Sequence, residues 1–141
     1  MKVYYTGEVY KKHDSDAGFD LFAKRIEKID DNIYKVYTGV KIAPEKGFWC
    51  MLVPRSSLHK KGYMLANNIG VIDNEYRGEI IAVLYKFDKT KPDLKEGERF
   101  AQIIFIKQEE VDMIKVDEKE FEEKYLNTKR GEGGFGSTGN N

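Results

Sequence analysis

Arg130, Phe135, Ser137 and Thr138 stand in Arg-Gly-Glu-Gly-Gly-Phe-Gly-Ser-Thr-Gly at 130–139, a segment that is half glycine. A guanidinium fork matches phosphate oxygens, two hydroxyls add donors, and glycine amides such as that of Gly136 can approach an anion with no side chain intervening. The ring of Phe135 offers a flat face to a nucleobase. So much glycine loses too much backbone entropy to order unaided, so two readings stand: a flap closed by a nucleotide, or a disordered low-complexity tail. No Gly-Lys-Ser/Thr closes the segment, which excludes a Walker-A loop.

Three interior segments carry further chemistry. In Pro54-Arg55-Ser56-Ser57-Leu58-His59-Lys60-Lys61-Gly62 a strand ends at proline, and a serine-capped short helix begins beside an arginine and stops at glycine. Free amides there make a phosphate site, or the arginine is simply solvated beside an ordinary cap. Asn67 to Glu79 reads as a hairpin with turn residues at both ends, placing Asp73 three residues before Tyr76. Asp73 is then a reactive carboxylate or a turn carboxylate bonded to its own backbone. Ala17-Gly18-Phe19-Asp20-Leu21 reads as a small-residue bend holding one carboxylate.

These residues must be positioned by strands. Short runs rich in Val, Ile, Tyr and Phe, separated by Gly, Asp, Asn and Pro, predict an all-β chain with strands over Val3–Tyr5, Ile33–Tyr37, Val40–Ala43, Phe48–Val53, Met64–Ala66, Glu79–Phe87, Arg99–Lys107 and Val111–Val116. Helix is expected only at Ser56–Lys61 and Glu118–Tyr125. At 141 residues one core suffices, and the expected division is a β body over 1–129 and a glycine-rich tail over 130–141. Ile80 to Tyr85 and Ile103 to Ile106 are apolar on both alternating faces, so a neighbouring chain should cover one of them.

Composition narrows the partners. Twenty-four basic residues balance 24 acidic ones, interspersed, so no basic field attracts polymer nucleic acid. No apolar run approaches membrane-spanning length, and a single cysteine, Cys50, fits a reducing compartment, so a soluble cytoplasmic or nuclear protein is expected. Cys50, in Phe-Trp-Cys-Met-Leu, is a buried apolar filler or a reactive thiol. Two histidines and one cysteine cannot build a zinc site.

In order, the segments resemble the five motifs of the homotrimeric dUTPases. Ala-Gly-Phe-Asp-Leu at 17–21 resembles the first, Pro-Arg-Ser-Ser-Leu at 54–58 the second and Gly-Val-Ile-Asp-Asn-Glu-Tyr-Arg-Gly-Glu at 70–79 the third. Gly-Glu-Arg-Phe-Ala-Gln-Ile-Ile at 97–104 resembles the fourth, and the segment at 130–139 the fifth. The resemblance implies a jelly-roll-like β-sandwich that trimerises, with each active site built from three chains, and hydrolysis of dUTP to dUMP and pyrophosphate.

The same resemblance implies residue roles. Asp73 would be the base that activates water for attack on the α-phosphorus. Arg55, Gln102 and Arg130 would bind phosphates, with Ser56 and its neighbour Ser57 at the α–β bridge, and Gly136, Ser137 and Thr138 at the γ-phosphate end. Mg2+ would be carried mainly by the triphosphate, with Asp20 reaching it through water. Asn67, Gly70, Val71 and Ile72, with the Ile81 backbone, would read uracil. Tyr76 would exclude a 2′-hydroxyl, and Phe135 would stack on the base.

One departure stands out. Ser57 occupies a place where many dUTPases have glycine, and Arg-Ser-Ser also occurs in the related dCTP deaminases. That branch carries a glutamate ten residues after the motif-three aspartate, and here the place is Val83, which cannot shuttle protons. A reading of another class is a dUTP-gated interaction module whose partners sense the tail.

Overall fold

The computed structural model describes residues 1–136; Ser137 and Thr138 lie outside the described residues. Among the described residues eleven strands form antiparallel sheets: β1 Val3–Thr6, β2 Val9–Tyr10, β3 Phe19–Phe22, β4 Arg25–Lys28, β5 Ile33–Tyr37, β6 Lys41–Pro44, β7 Phe48–Pro54, β8 Tyr63–Leu65, β9 Gly70–Ile72, β10 Ile81–Lys86 and β11 Arg99–Lys107. A two-stranded sheet pairs β1 with β6. A four-stranded sheet runs β4-β5-β10-β8, and a five-stranded sheet runs β2-β3-β11-β7-β9.

The jelly-roll-like sandwich follows from alternation. In β5, Tyr34 and Val36 turn inward while Ile33, Lys35 and Tyr37 lie at the surface layer, the period of two that the sequence predicts. Val36, Ala82 and Leu84 from the four-stranded sheet share one core with Leu21, Leu52, Ala101 and Ile103 from the five-stranded sheet. Cys50 is fully buried in this core, and burial pushes its thiol up to about 12. It is the apolar filler, and the reactive-thiol alternative falls.

Several sequence expectations change. The bend expected at Ala17–Leu21 runs into β3, an interior strand between β2 and β11. β2 and β4 also went unpredicted. β2 is only two residues long and β4 is mostly charged, and only their neighbours' ladders make them strands. The strand expected at Val111–Val116 is absent: Val111, Met113 and Ile114 are 70%, 88% and 77% exposed, and no ladder among the described residues reaches them. Apolar residues without a neighbour's N–H and C=O groups do not make a strand.

The expected hairpin at 67–79 is also not a hairpin. β8 pairs with β10 in the four-stranded sheet, whereas β9 pairs with β7 in the five-stranded one. The chain therefore crosses between sheets at Ala66–Ile69, helped by Asn68 at φ +65°. The serine-capped helix shrinks to one 3-10 turn, Leu58–Lys61, whose N-cap Ser57 makes no side-chain capping bond. Gly62, at φ +84°, ends it.

The outward face of β10 carries Val83, Tyr85 and, just beyond its end, Phe87, all more than a third exposed and joined by Met64 of β8. β11 is less open, its Ile104, Phe105 and Ile106 being half-buried. Compact packing of this first unit ends at Glu109, and residues 110–141 form a second unit. There α1, Glu118–Lys124, is capped by Asp117, whose carboxylate accepts from the Glu120 amide at 2.8 Å.

Candidate active site

Where the chain crosses between sheets it leaves a pocket of about 300 Å3. Asn67, Gly70, Val71, Ile72, Asp73, Tyr76 and Ile81, all singled out from the sequence, line it together. β9 is the last strand of its sheet, so one edge of its backbone is unpaired and free to hydrogen-bond a ligand. Gly70 lets β9 lie close against β7, since a Cβ there would sit 3.0 Å from the Leu52 Cβ. Val83 lines the same pocket.

Asp73 closes β9 and is exposed at the start of a turn. Its carbonyl accepts from the Tyr76 amide at 3.1 Å. The Tyr76 hydroxyl donates to the Glu79 carbonyl at 2.8 Å, and the Glu79 carboxylate accepts from the Gly39 amide at 2.8 Å. The tyrosine ring lies so close to the backbone of Gly78 that a Cβ there would come within 2.4 Å of its hydroxyl. Glycine at 78 is thus what lets Tyr76 fold back along the pocket wall.

A second cluster forms across β3, β11 and β7. Asp20 Oδ2 lies 3.4 Å from Arg55 Nε and 3.1 Å from Arg99 Nη1, and Arg55 Nη1 donates to the Arg99 carbonyl at 3.4 Å. Gln102 donates to the Pro54 carbonyl at 3.1 Å. Its Oε1 lies where a Cβ on Gly18 would sit, at 2.3 Å, which accounts for glycine at that position. Two guanidinium groups against one carboxylate leave this surface net positive and suited to an oxyanion. Ser56 and Ser57 follow Arg55, and Ser57 has φ −99°, a backbone region open to any residue, so serine replaces glycine there without strain.

Arg99 lies within the fourth motif, and the sequence assigns it no role. On a regular strand, residues 99 and 102 point to opposite faces. A bulge between Arg99 and Ala101 turns both Phe100 and Ala101 inward, which brings Arg99 onto the face of Asp20 and Gln102. The aromatic Tyr10, 4.6 Å beneath the Arg99 guanidinium, completes its setting.

No hydrogen bond or ion pair among the described residues joins Asp73 to the Asp20 cluster. In the second unit, Arg130 Nε donates to the Gly133 carbonyl at 2.5 Å, and Phe135 is fully exposed with φ +51°, next to Gly136 at φ +79°. Among the described residues no three carboxylates, histidines or cysteines cluster as metal ligands. No helix among the described residues is long and apolar enough to cross a membrane.

The dUTPase family model matches residues 8–139. The deoxyuridine 5′-triphosphate nucleotidohydrolase of Corynebacterium jeikeium (strain K411) is 39% identical over 132 residues, 92% of this chain and 83% of that protein. The mouse protein of the same name is 38% identical over 128 residues, 89% of this chain and 74% of that one. Among solved structures, a Staphylococcus bacteriophage 80alpha dUTPase variant with dUpNHpp superposes with a TM-score of 0.80 at 19% identity, covering 98% of each chain. The Streptococcus mutans dUTPase does so with 0.66 at 31% identity, over 74% of this chain and 88% of that one. With a family model matching residues 8–139 and relatives near 40% identical along nearly its whole length, the chain belongs to the dUTPase family.

Proposed function

We propose that this chain hydrolyses dUTP to dUMP and pyrophosphate. The observation that carries the reading is the pocket between the sheets, where a free strand edge, a tyrosine folded against the wall and an exposed aspartate meet. Uracil presents two carbonyl acceptors about one N–H donor, a pattern that the unpaired edge of β9 can complement through backbone alone. Cytosine reverses the pattern at position 4, and thymine adds a methyl group. The Tyr76 ring occupies the space a ribose 2′-hydroxyl would need.

In the reaction Asp73 accepts a proton from water as the water oxygen attacks the α-phosphorus. The bond from that phosphorus to the α–β bridging oxygen breaks, and pyrophosphate leaves with the bond's electron pair. Arg55, Gln102 and Ser56, with Ser57 beside them, hold the phosphate chain, and the positive balance around Asp20 favours the charge that builds on it. The family works with a divalent metal, and Mg2+ is the ion proposed here, Asp20 being the carboxylate that would hold it through water. Bound there, it would neutralise triphosphate charge and orient the chain.

The remaining ligands come from the second unit. Arg130 adds a phosphate contact, Phe135 stacks on uracil, and Gly136, Ser137 and Thr138 cradle the γ-phosphate as the glycine-rich flap over 130–141 closes. A trimer with sites shared among three chains accounts for the exposed apolar face of β10 and β8, and for the absence of any bond between Asp73 and the Asp20 cluster within one chain. The proposed compartment is the cytoplasm. Pyrophosphate release from dUTP, set beside dTTP, dCTP and UTP, tests the reading, and comparable release from dCTP or dTTP overturns it.

A further inference from the structure

Asn74 is neither apolar, catalytic nor exposed enough to be idle, and its side chain is engaged more fully than any other in the loop from β9 to β10. Its Nδ2 lies 2.8 Å from the Phe48 carbonyl, 3.0 Å from that of Glu45 and 3.5 Å from that of Pro44. Three carbonyls around one atom identify it as the nitrogen, and its two hydrogens serve Phe48 and Glu45.

The register explains why these carbonyls are there. β9 pairs with β7 with Leu52 opposite Gly70, Met51 opposite Val71 and Cys50 opposite Ile72. Two residues further along the same register, Phe48 would face residue 74, but the main chain has already left the ladder to turn at Asp73. The Asn74 side chain supplies the missing donor, extending the ladder by one rung. From the other side, Arg77 Nη1 donates to the Asn74 carbonyl. Asp73 is therefore held between a residue locked in the sheet, Ile72, and a residue tied to β7 and to the turn before it.

We propose that Asn74 is a positioning residue that sets the direction of the Asp73 carboxylate by clamping the turn that follows it. This rests on the reading of Asp73 as the water-activating base. A clamp of this kind acts on the reacting geometry and not on substrate affinity, because β9, which faces the base, is kept in place by its own ladder.

The test compares wild type with Asn74→Ala in turnover of dUTP, in calorimetric affinity for a non-hydrolysable dUTP analogue, and in hydrogen exchange of residues 72–77. Loss of the clamp should lower kcat about 10- to 100-fold while the analogue's Kd moves by less than about threefold, since a base displaced by a fraction of an ångström to an ångström loses rate before binding. Exchange at the Tyr76 amide, which bonds the Asp73 carbonyl, should quicken. Equal losses in kcat and in affinity would mark a purely structural role and overturn the proposal, as would an unchanged kcat. If Asn74→Ala does not fold, Asn74→Ser, which keeps one donor on a shorter arm, is read for the same split. A wild-type chain inert toward dUTP would overturn the proposed function instead. The exchange comparison would then judge the clamp by itself, unchanged exchange overturning it.

Discussion

Asp20 and Arg99 meet across the β3–β11 pair at 3.1 Å, and they meet only because β11 bulges at Phe100. Arg55 reaches the same carboxylate oxygen from the end of β7 at 3.4 Å, so a carboxylate only 18% exposed organises two guanidinium groups on one surface. A single carboxylate costs less to desolvate when two cations and their hydrogen bonds face it, and in return it keeps two flexible side chains together on one surface.

Replacing Asp73 with asparagine should leave binding of a non-hydrolysable dUTP analogue nearly intact, because the amide keeps the shape. Hydrolysis should fall by at least about 10²-fold through loss of the proton acceptor. Steady-state rates with calorimetry check this, and unchanged turnover sinks Asp73 as the base.

Tyr76→Ala should remove the wall against the 2′-hydroxyl together with the bond to the Glu79 carbonyl. The ratio of kcat/KM for UTP to that for dUTP should rise about 10- to 100-fold, the range over which a pocket rejects an extra hydroxyl. A constant ratio would place sugar reading elsewhere.

Lys86 points inward from β10 with its side chain 5% exposed and pairs with Asp93, which also accepts from the Tyr34 hydroxyl. The Lys86 hydrogen bond, opposed by partial burial, holds the Asp93 carboxyl below its ordinary value. The pair's contribution is therefore complete above the unfolded value of about 3.9 and is lost as pH falls through the lower folded value. Because Asp93 is 66% exposed, solvent weakens the pair, and Asp93→Asn should cost about 1–2 kcal/mol at pH 7. Urea unfolding should show the gap from wild type closing as pH drops below about 4; a gap constant down to pH 2 would refute the linkage.

Light scattering at micromolar concentration should report three chains per particle. Tyr85→Asp, which puts a charge on the exposed apolar face of β10 away from the pocket lining, should shift it toward monomer with loss of turnover. A fully active monomer would contradict the shared site.

Deleting 130–141 should leave the melting of the β body almost unchanged while turnover drops severely, since Arg130 and Phe135 go with it. Phe135→Trp should change fluorescence on binding a non-hydrolysable triphosphate analogue, and much less with dUMP. Equal responses would argue against gating by the γ-phosphate.

Much of this was written in the chain itself. Ile33–Tyr37 is a strand in the sequence because alternation is local, and it is the same strand in the fold. Asn67, Gly70, Val71, Ile72, Asp73 and Tyr76 stand out by residue type in the sequence, and the fold brings them to one pocket. What a single strand's period cannot carry is its partner. Gly70–Ile72 looks equally ready to close a hairpin or to join another sheet, and the core decided for β7 because Ile72 and Leu52 then pack in the same cluster. Val111–Val116 is mostly apolar and is no strand, for want of a ladder, whereas charged Arg25–Lys28 is one because β5 pairs with it. The bulge that brings Arg99 to Asp20, and the carbonyls that gather around Asn74, depend on register between segments tens of residues apart. Register is selected by the packing of whole faces, so those contacts came into being only with the tertiary structure.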